Sequence, residues 1–153
     1  MNVRASSVVP LPLEQAFLIV ADMEHWFPMV DDGIVRCTKM TRGATSLGTR
    51  FEEVVKGPTG NEMLFNIEVT SFDAPNSVGF TSSGPILVAE GSISCAAAEG
   101  GGTEVTMDFD ASPRGVVGWL IWPVLYFSLK GVEQGRLSKL AQLVTSGEIA
   151  PHP

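Results

Sequence analysis

Histidine and cysteine are scarce in this chain, two of each among 153 residues. His25, His152, Cys37 and Cys95 match no zinc, haem or redox spacing, and a metal site needs more nitrogen or sulfur ligands than these four supply. No metal is therefore expected. No serine–histidine–carboxylate grouping surrounds His25, which argues against triad hydrolysis and leaves it as a helix-surface histidine, while His152 lies in the tail. The cysteines stand far apart, so a disulfide is not implied and two separate buried thiols are expected. Positive charge is short as well: 10 Lys and Arg against 17 Asp and Glu leave a net charge of −7. With no basic cluster to offset that, nucleic acid is excluded as a partner and electrostatic docking on anionic membranes is disfavoured. Glycines 100–102 lack phosphate-loop spacing and read as a hairpin. Residues 1–7 hold no apolar core of signal-peptide length. The uncharged run 115–129 is shorter than the roughly 20 residues a spanning helix needs, and it contains Pro123. These absences predict a cytoplasmic protein without cofactor and without stable membrane insertion.

What is present reads as one globular domain, residues 1–150, with a frayed tail at 151–153. Residues 3–9 have strand character and stop at Pro10. Pro12 and Glu14 suit the first turn of a helix whose apolar face is Ala16, Phe17 and Val20. Asp22 interrupts it, and Glu24-His25-Trp26-Phe27 forms a second short helix, ended by Pro28 and the turn Asp31-Asp32-Gly33. Strands follow at 34–40, 49–56, 62–72, 78–82, 86–97 and 103–111, joined by short turns such as Gly57-Pro58-Thr59-Gly60-Asn61. Connections this short favour an antiparallel meander. Alternation puts Met63, Phe65, Ile67 and Val69 on one face and Asn66, Glu68 and Thr70 on the other. The last strand divides the same way, Val105, Met107, Phe109 and Ala111 against Thr106, Asp108 and Asp110. From Ser112 to Gly147 a long helix is expected to lie across the apolar face, with Pro123 kinking or breaking it.

That order resembles the helix-grip proteins, the Bet v 1-like or START-like (SRPBCC) superfamily, and within it the polyketide cyclase/dehydrase and lipid-transport group. The resemblance rests on Ala21-Asp22-Met23-Glu24-His25-Trp26 with Pro28, on Leu47-Gly48-Thr49-Arg50-Phe51, and on Gly101-Gly102-Thr103-Glu104-Val105-Thr106 running into Ser112-Pro113-Arg114-Gly115. It implies an α+β fold: a curved antiparallel sheet of about seven strands wrapped around a long C-terminal helix, with two short helices after the first strand. It also implies a cavity between sheet and helix for an apolar small molecule. Carriers, aromatase/cyclases and chaperone cofactors share this fold, which does not choose among them.

Candidate lining residues follow from the faces. Phe51, Phe65, Ile67, Met107 and Phe109 come from the sheet, and Trp122, Tyr126 and Leu129 from the helix. Trp26 packs the helix corner or lines the pocket mouth. On a helical wheel Leu129, Val132, Leu137, Leu140, Leu143 and Val144 form one apolar sector, and Glu133 and Arg136 fall inside it. Three apart, those two can pair. They read either as a ligand anchor, with Arg136 receiving a carboxylate or enolate, or as an ion pair at the sheet edge with wet heads. Glu53, alternating with Phe51 and Val55, reads as a desolvated general acid or base, or as a residue turned outward by a bulge. Tyr126 could hydrogen-bond a ligand or simply pack. Glu53, Tyr126 and Arg136 are the candidate catalytic residues if the protein is an enzyme.

Val116, Leu120, Val124 and Phe127 point away from the sheet-facing sector. Exposed, they would form a partner surface such as a homodimer face, a portal or a membrane contact; otherwise the segment is a separate short helix or loop covered by the N-terminal helices. The expected function is binding, and transport, of a small hydrophobic ligand such as a lipid, polyketide or aromatic metabolite. The alternatives are a cyclase/aromatase-type enzyme and an interaction protein using the apolar patch.

Overall fold

The computed structural model describes residues 1–57 and 59–151, excluding the side chain of Lys130. The expected loop position of Pro58 and the tail residues His152 and Pro153 lie outside the described residues. The elements run β1 (Asn2–Val9), α1 (Leu13–Ala21), α2 (Met23–Val30), β2 (Ile34–Lys39), β3 (Arg50–Lys56), β4 (Glu62–Asp73), β5 (Ser77–Ser83), β6 (Leu87–Ala97), β7 (Thr103–Pro113) and α3 (Gly115–Ser146). The sheet order is β1-β7-β6-β5-β4-β3-β2, every pair antiparallel. Consecutive strands pair because their connections are too short to do otherwise. The last strand then closes on the first, with Ala5 opposite Met107 and Val3 opposite Phe109.

Period-two alternation decides which face is dry. Val3, Phe51, Ile67, Val69, Ile93, Val105, Met107 and Phe109 are buried in one cluster. Asn66, Glu68 and Thr70, between the inward residues of β4, are exposed. The C-terminal half of α3 covers that dry face with Leu137, Leu140 and Val144. Truncating Leu137 to alanine in such a site would cost about 2–5 kcal/mol.

Three boundaries differ from expectation, each for a physical reason. The helix α2 continues through Pro28 to Val30, because Trp26, Phe27 and Val30 are all buried and hold the last turn. The strand β7 keeps Ser112 and Pro113, which pair with Val88 and Leu87, so α3 starts only at Gly115. Pro123 does not break α3, which runs uninterrupted over 32 residues. Both Pro123 and Trp119, whose carbonyl loses its partner, are exposed, so water can satisfy that oxygen. Val132, expected in the buried sector, is exposed at the sector's edge.

By length and composition α3 could cross a membrane, its best 18-residue window having a mean hydropathy of 1.4. Its uncharged run covers residues 115–129. Those residues measure about 22 Å at about 1.5 Å each, against a hydrocarbon thickness of about 30 Å. The half beyond Leu129 is committed to the domain core through Leu137 and Leu140.

Candidate functional site

The helix α3 is fastened at both ends and bridges between them. At its start Gly118 is pressed against the β5–β6 connection, where a Cβ would stand 2.2 Å from the Ile86 carbonyl oxygen. Only glycine permits that approach. The Arg114 backbone N–H donates to the same oxygen at 2.8 Å, and its Nη1 donates to Ser83 Oγ at 2.8 Å and to the Gly84 carbonyl at 3.2 Å. Further along, the Gln134 side chain pairs with the free edge of β1. Its Nε2 donates to the Ser6 carbonyl at 2.9 Å and its Oε1 accepts the Ser6 N–H at 3.4 Å. An edge strand is thereby covered by a helix side chain.

Between these anchors the helix presents two apolar faces. Ile121, Trp122, Leu125, Tyr126 and Leu129 share the stripe that continues into Glu133, Leu137, Leu140 and Val144, yet they are only half-buried. Trp122 and Leu129 touch the core cluster. The sheet-facing stripe thus passes from full burial at Leu137 to half-burial at Trp122. The opposite face is open, with Val116, Trp119, Leu120, Val124 and Phe127 between 67% and 78% exposed.

The stripe ends in charge. Glu133 is 2% exposed, and its Oε1 accepts from Arg136 Nη1 at 2.5 Å. Arg136 Nε donates to Asp31 Oδ2 at 2.7 Å, and its Nη2 also reaches that oxygen. Asp31 caps the end of α2, and its Oδ1 accepts the Gly33 N–H at 2.8 Å. Glu133 Oε2 is buried and has no hydrogen-bond partner among the described residues. Glu53 sits on β3 directly between Cys37 of β2 and Phe65 of β4, which places it on the dry face.

Burial dominates the titration of this cluster. It pushes Glu53 up to about 7, against the pull of Arg136 and with the help of Glu133 and Asp31. Burial likewise raises Glu133, although Arg136 pulls it down. For Asp31 burial works upward, but Arg136, the Gly33 N–H and Lys139 outweigh it and hold the carboxyl below its ordinary value. Burial pushes Cys37 up, reinforced by Glu53, Glu24 and Asp22, and pushes Cys95 up to about 11. Both thiols are free and buried, conditions that disfavour the thiolate and hence nucleophilic reaction.

The residues expected to form the site divide cleanly. Phe51, Phe65, Ile67, Met107 and Phe109 are buried on the dry face, and Trp122, Tyr126 and Leu129 are half-buried on the facing stripe. Glu133 and Arg136 are paired, and Glu53 lies within their electrostatic reach; the edge-pair reading with wet heads fails for Glu133, and no register shift between β3 and β4 turns Glu53 outward. Asp31 reads in sequence only as a turn residue, and nothing local marks it as the partner of a side chain 105 positions away. Trp26 takes the corner role: it is buried, its indole N–H donates to the Val20 carbonyl at 3.2 Å, and its ring meets Phe27 edge-on at 4.7 Å. His25 is exposed, with Nε2 3.2 Å from Asp22 Oδ2. A cleft of about 790 Å³ opens beside the anchored start of α3, lined by residues including Met63, Ser83, Ile86 and Arg114. None of the expected lining residues borders it.

A seven-strand antiparallel sheet with β1 and β2 at its edges, two short helices after the first strand and a long C-terminal helix laid on the dry face define a helix-grip protein. The sequence matches the family described as Polyketide cyclase / dehydrase and lipid transport over residues 1–145, and the chain belongs to that family. No curated protein matches the sequence. Among solved structures, TTHA0849 from Thermus thermophilus is 21% identical, with a TM-score of 0.76 over 97% of this chain and 100% of that one. The Zhui aromatase/cyclase from Streptomyces sp. R1128 is 11% identical, with a TM-score of 0.79 over 98% and 96%. Ara h 8.0201 is 18% identical, with a TM-score of 0.67 over 95% and 98%. Identities this low show a shared fold.

Proposed function

We propose that this protein binds, and carries, a small hydrophobic molecule such as a lipid, polyketide or aromatic metabolite between the sheet and the bridging middle of α3. The supporting observation is the half-buried inner stripe Trp122, Leu125, Tyr126 and Leu129, held over a dry sheet face by anchors at Gly118 and Leu137. Ligand sites are mostly apolar with a few polar groups to orient the guest, and the charged end at Glu133 fits that pattern. Native mass spectrometry and solvent extraction of the purified protein test the reading. A retained apolar ligand, or saturable binding of an apolar fluorophore at one per chain, supports it. Neither being found, at micromolar protein and probe, would sink it.

A second reading is a cyclase/aromatase-type enzyme, favoured by a carboxyl at Glu53 poised near neutrality on the dry face. Turnover of a candidate polyketide that survives Glu53→Gln and Arg136→Lys unchanged would remove it. A homodimer through Val116, Leu120, Val124 and Phe127 would cover the outer face of α3. Sedimentation of the wild type beside Leu120→Glu tests that surface, and a monomer in both would count against it.

A further inference from the structure

We propose that the charged end of the cavity selects ligands whose polar group donates a hydrogen bond, a hydroxyl or an amine, and rejects carboxylates. This rests on the binding reading above and specifies the chemistry of the guest. The first observation is Glu133 Oε2, an oxygen enclosed in the protein with no partner among the described residues, while Oε1 of the same carboxylate is held by Arg136. A buried acceptor left unpaired is unfavourable until a donor reaches it. The second is the state of Arg136. Its Nε and Nη2 serve Asp31 and its Nη1 serves Glu133, so two carboxylates already face one guanidinium. Glu53, opposite Cys37 and Phe65, adds a third carboxyl within electrostatic reach of Arg136 and Glu133. An arriving anion meets excess negative charge in a desolvated place, where like-charge contact is most unfavourable. This reverses the expectation that Arg136 receives a carboxylate or enolate.

Glu133 lies one turn beyond Leu129 on the inner stripe, and eleven residues beyond Trp122, about 16 Å along the axis at about 1.5 Å per residue. On the binding reading, a molecule with its apolar body along Trp122 and Leu129 would bring one end to the level of Glu133. That length suits a medium acyl chain or a small fused-ring system.

Four fluorescent probes with one ring body and different heads test this: pyrenemethanol, pyrenemethylamine, pyrenecarboxylate and methoxypyrene, titrated into the full chain at pH 7.5. Pyrenemethanol and pyrenemethylamine are expected to bind about tenfold or more tighter than the carboxylate and the ether, since a site with a buried unmet acceptor discriminates strongly by donor. In Glu133→Gln the amine should lose its advantage and the carboxylate should gain. The wild-type ranking decides even if that variant fails to fold. Alcohol ahead of amine identifies a neutral donor as the preferred guest, and the reverse order a cation; both uphold the proposal. Equal affinity for all four heads, or a preference for the carboxylate, overturns donor selection and leaves the cavity reading standing. If no probe binds, the cavity reading falls and this inference with it.

Discussion

Replacing Glu53 with glutamine should stabilise the protein in base and leave its stability in acid almost unchanged. Burial is the largest influence on this carboxyl and raises it from 4.5 to about 7, with Arg136 pulling the other way and Glu133 and Asp31 adding to the rise. At about 1.4 kcal/mol per unit, that shift sets a ceiling of about 3 kcal/mol on the cost of ionising Glu53 in the folded state. A group whose folded pKa is raised lends its full stability below the unfolded value, and that stability is lost as pH rises through the folded value. The wild type should therefore lose ground against Glu53→Gln between about pH 4.5 and 7, and the difference should level off above. Glutamine is itself a buried polar group, so the expected net gain at pH 8 is about 1–3 kcal/mol. Urea unfolding followed by tryptophan fluorescence at pH 5, 6, 7 and 8 measures the difference. Glu53→Gln less stable than wild type at pH 8, by as much as or more than at pH 5, would refute the reasoning. It would mean that attraction to Arg136 outweighs desolvation.

Other expectations follow from the same geometry. Arg136→Met leaves Asp31 and Glu133 facing each other without a counter-charge, and should cost about 3–5 kcal/mol near pH 7.5. Part of that loss should return by pH 5 as the carboxyls take up protons, a recovery visible in chemical denaturation. Gly118→Ala places a methyl 2.2 Å from the Ile86 oxygen and should lower stability by about 1–3 kcal/mol. Gly131→Ala and Gly135→Ala, in the helix interior with nothing within 4 Å, should each raise it by about 0.5–1 kcal/mol in the same melts. The thiols of Cys37 and Cys95 should ignore Ellman's reagent at pH 8 in the folded protein and both react in denaturant; rapid native labelling would contradict their burial.

Much of this architecture is legible from residue order, because strand alternation and helix periodicity are local. Met63, Phe65 and Ile67 alternate with polar neighbours, and the face they define is the buried one. The same counting puts Glu53 beside Phe51 on the dry face and Glu133 within the apolar sector of the last helix. Contacts made by folding are not legible in this way. Asp31 joins Arg136 across 105 positions and looks, in sequence, like any turn aspartate. The place of Trp26 depends on whether its indole N–H finds a partner, which the Val20 carbonyl provides. Pro123 carries the sequence signature of a helix break, and it makes none because its side of the helix faces solvent. The half-burial of Trp122 and Tyr126 depends on two distant anchors, Gly118 against Ile86 and Leu137 in the core, and no periodicity reveals it.

The proposed site lies under the inner face of α3 and not on its equally apolar outer face. Trp122 belongs to the inner face and Trp119 to the outer. A brominated long-chain alcohol quenches tryptophan only at contact, so its quenching in Trp119→Phe and Trp122→Phe reads the location directly. Saturable quenching retained in Trp119→Phe and largely lost in Trp122→Phe is the predicted result. The opposite pattern would put the ligand on the exposed face and contradict a site beneath the helix.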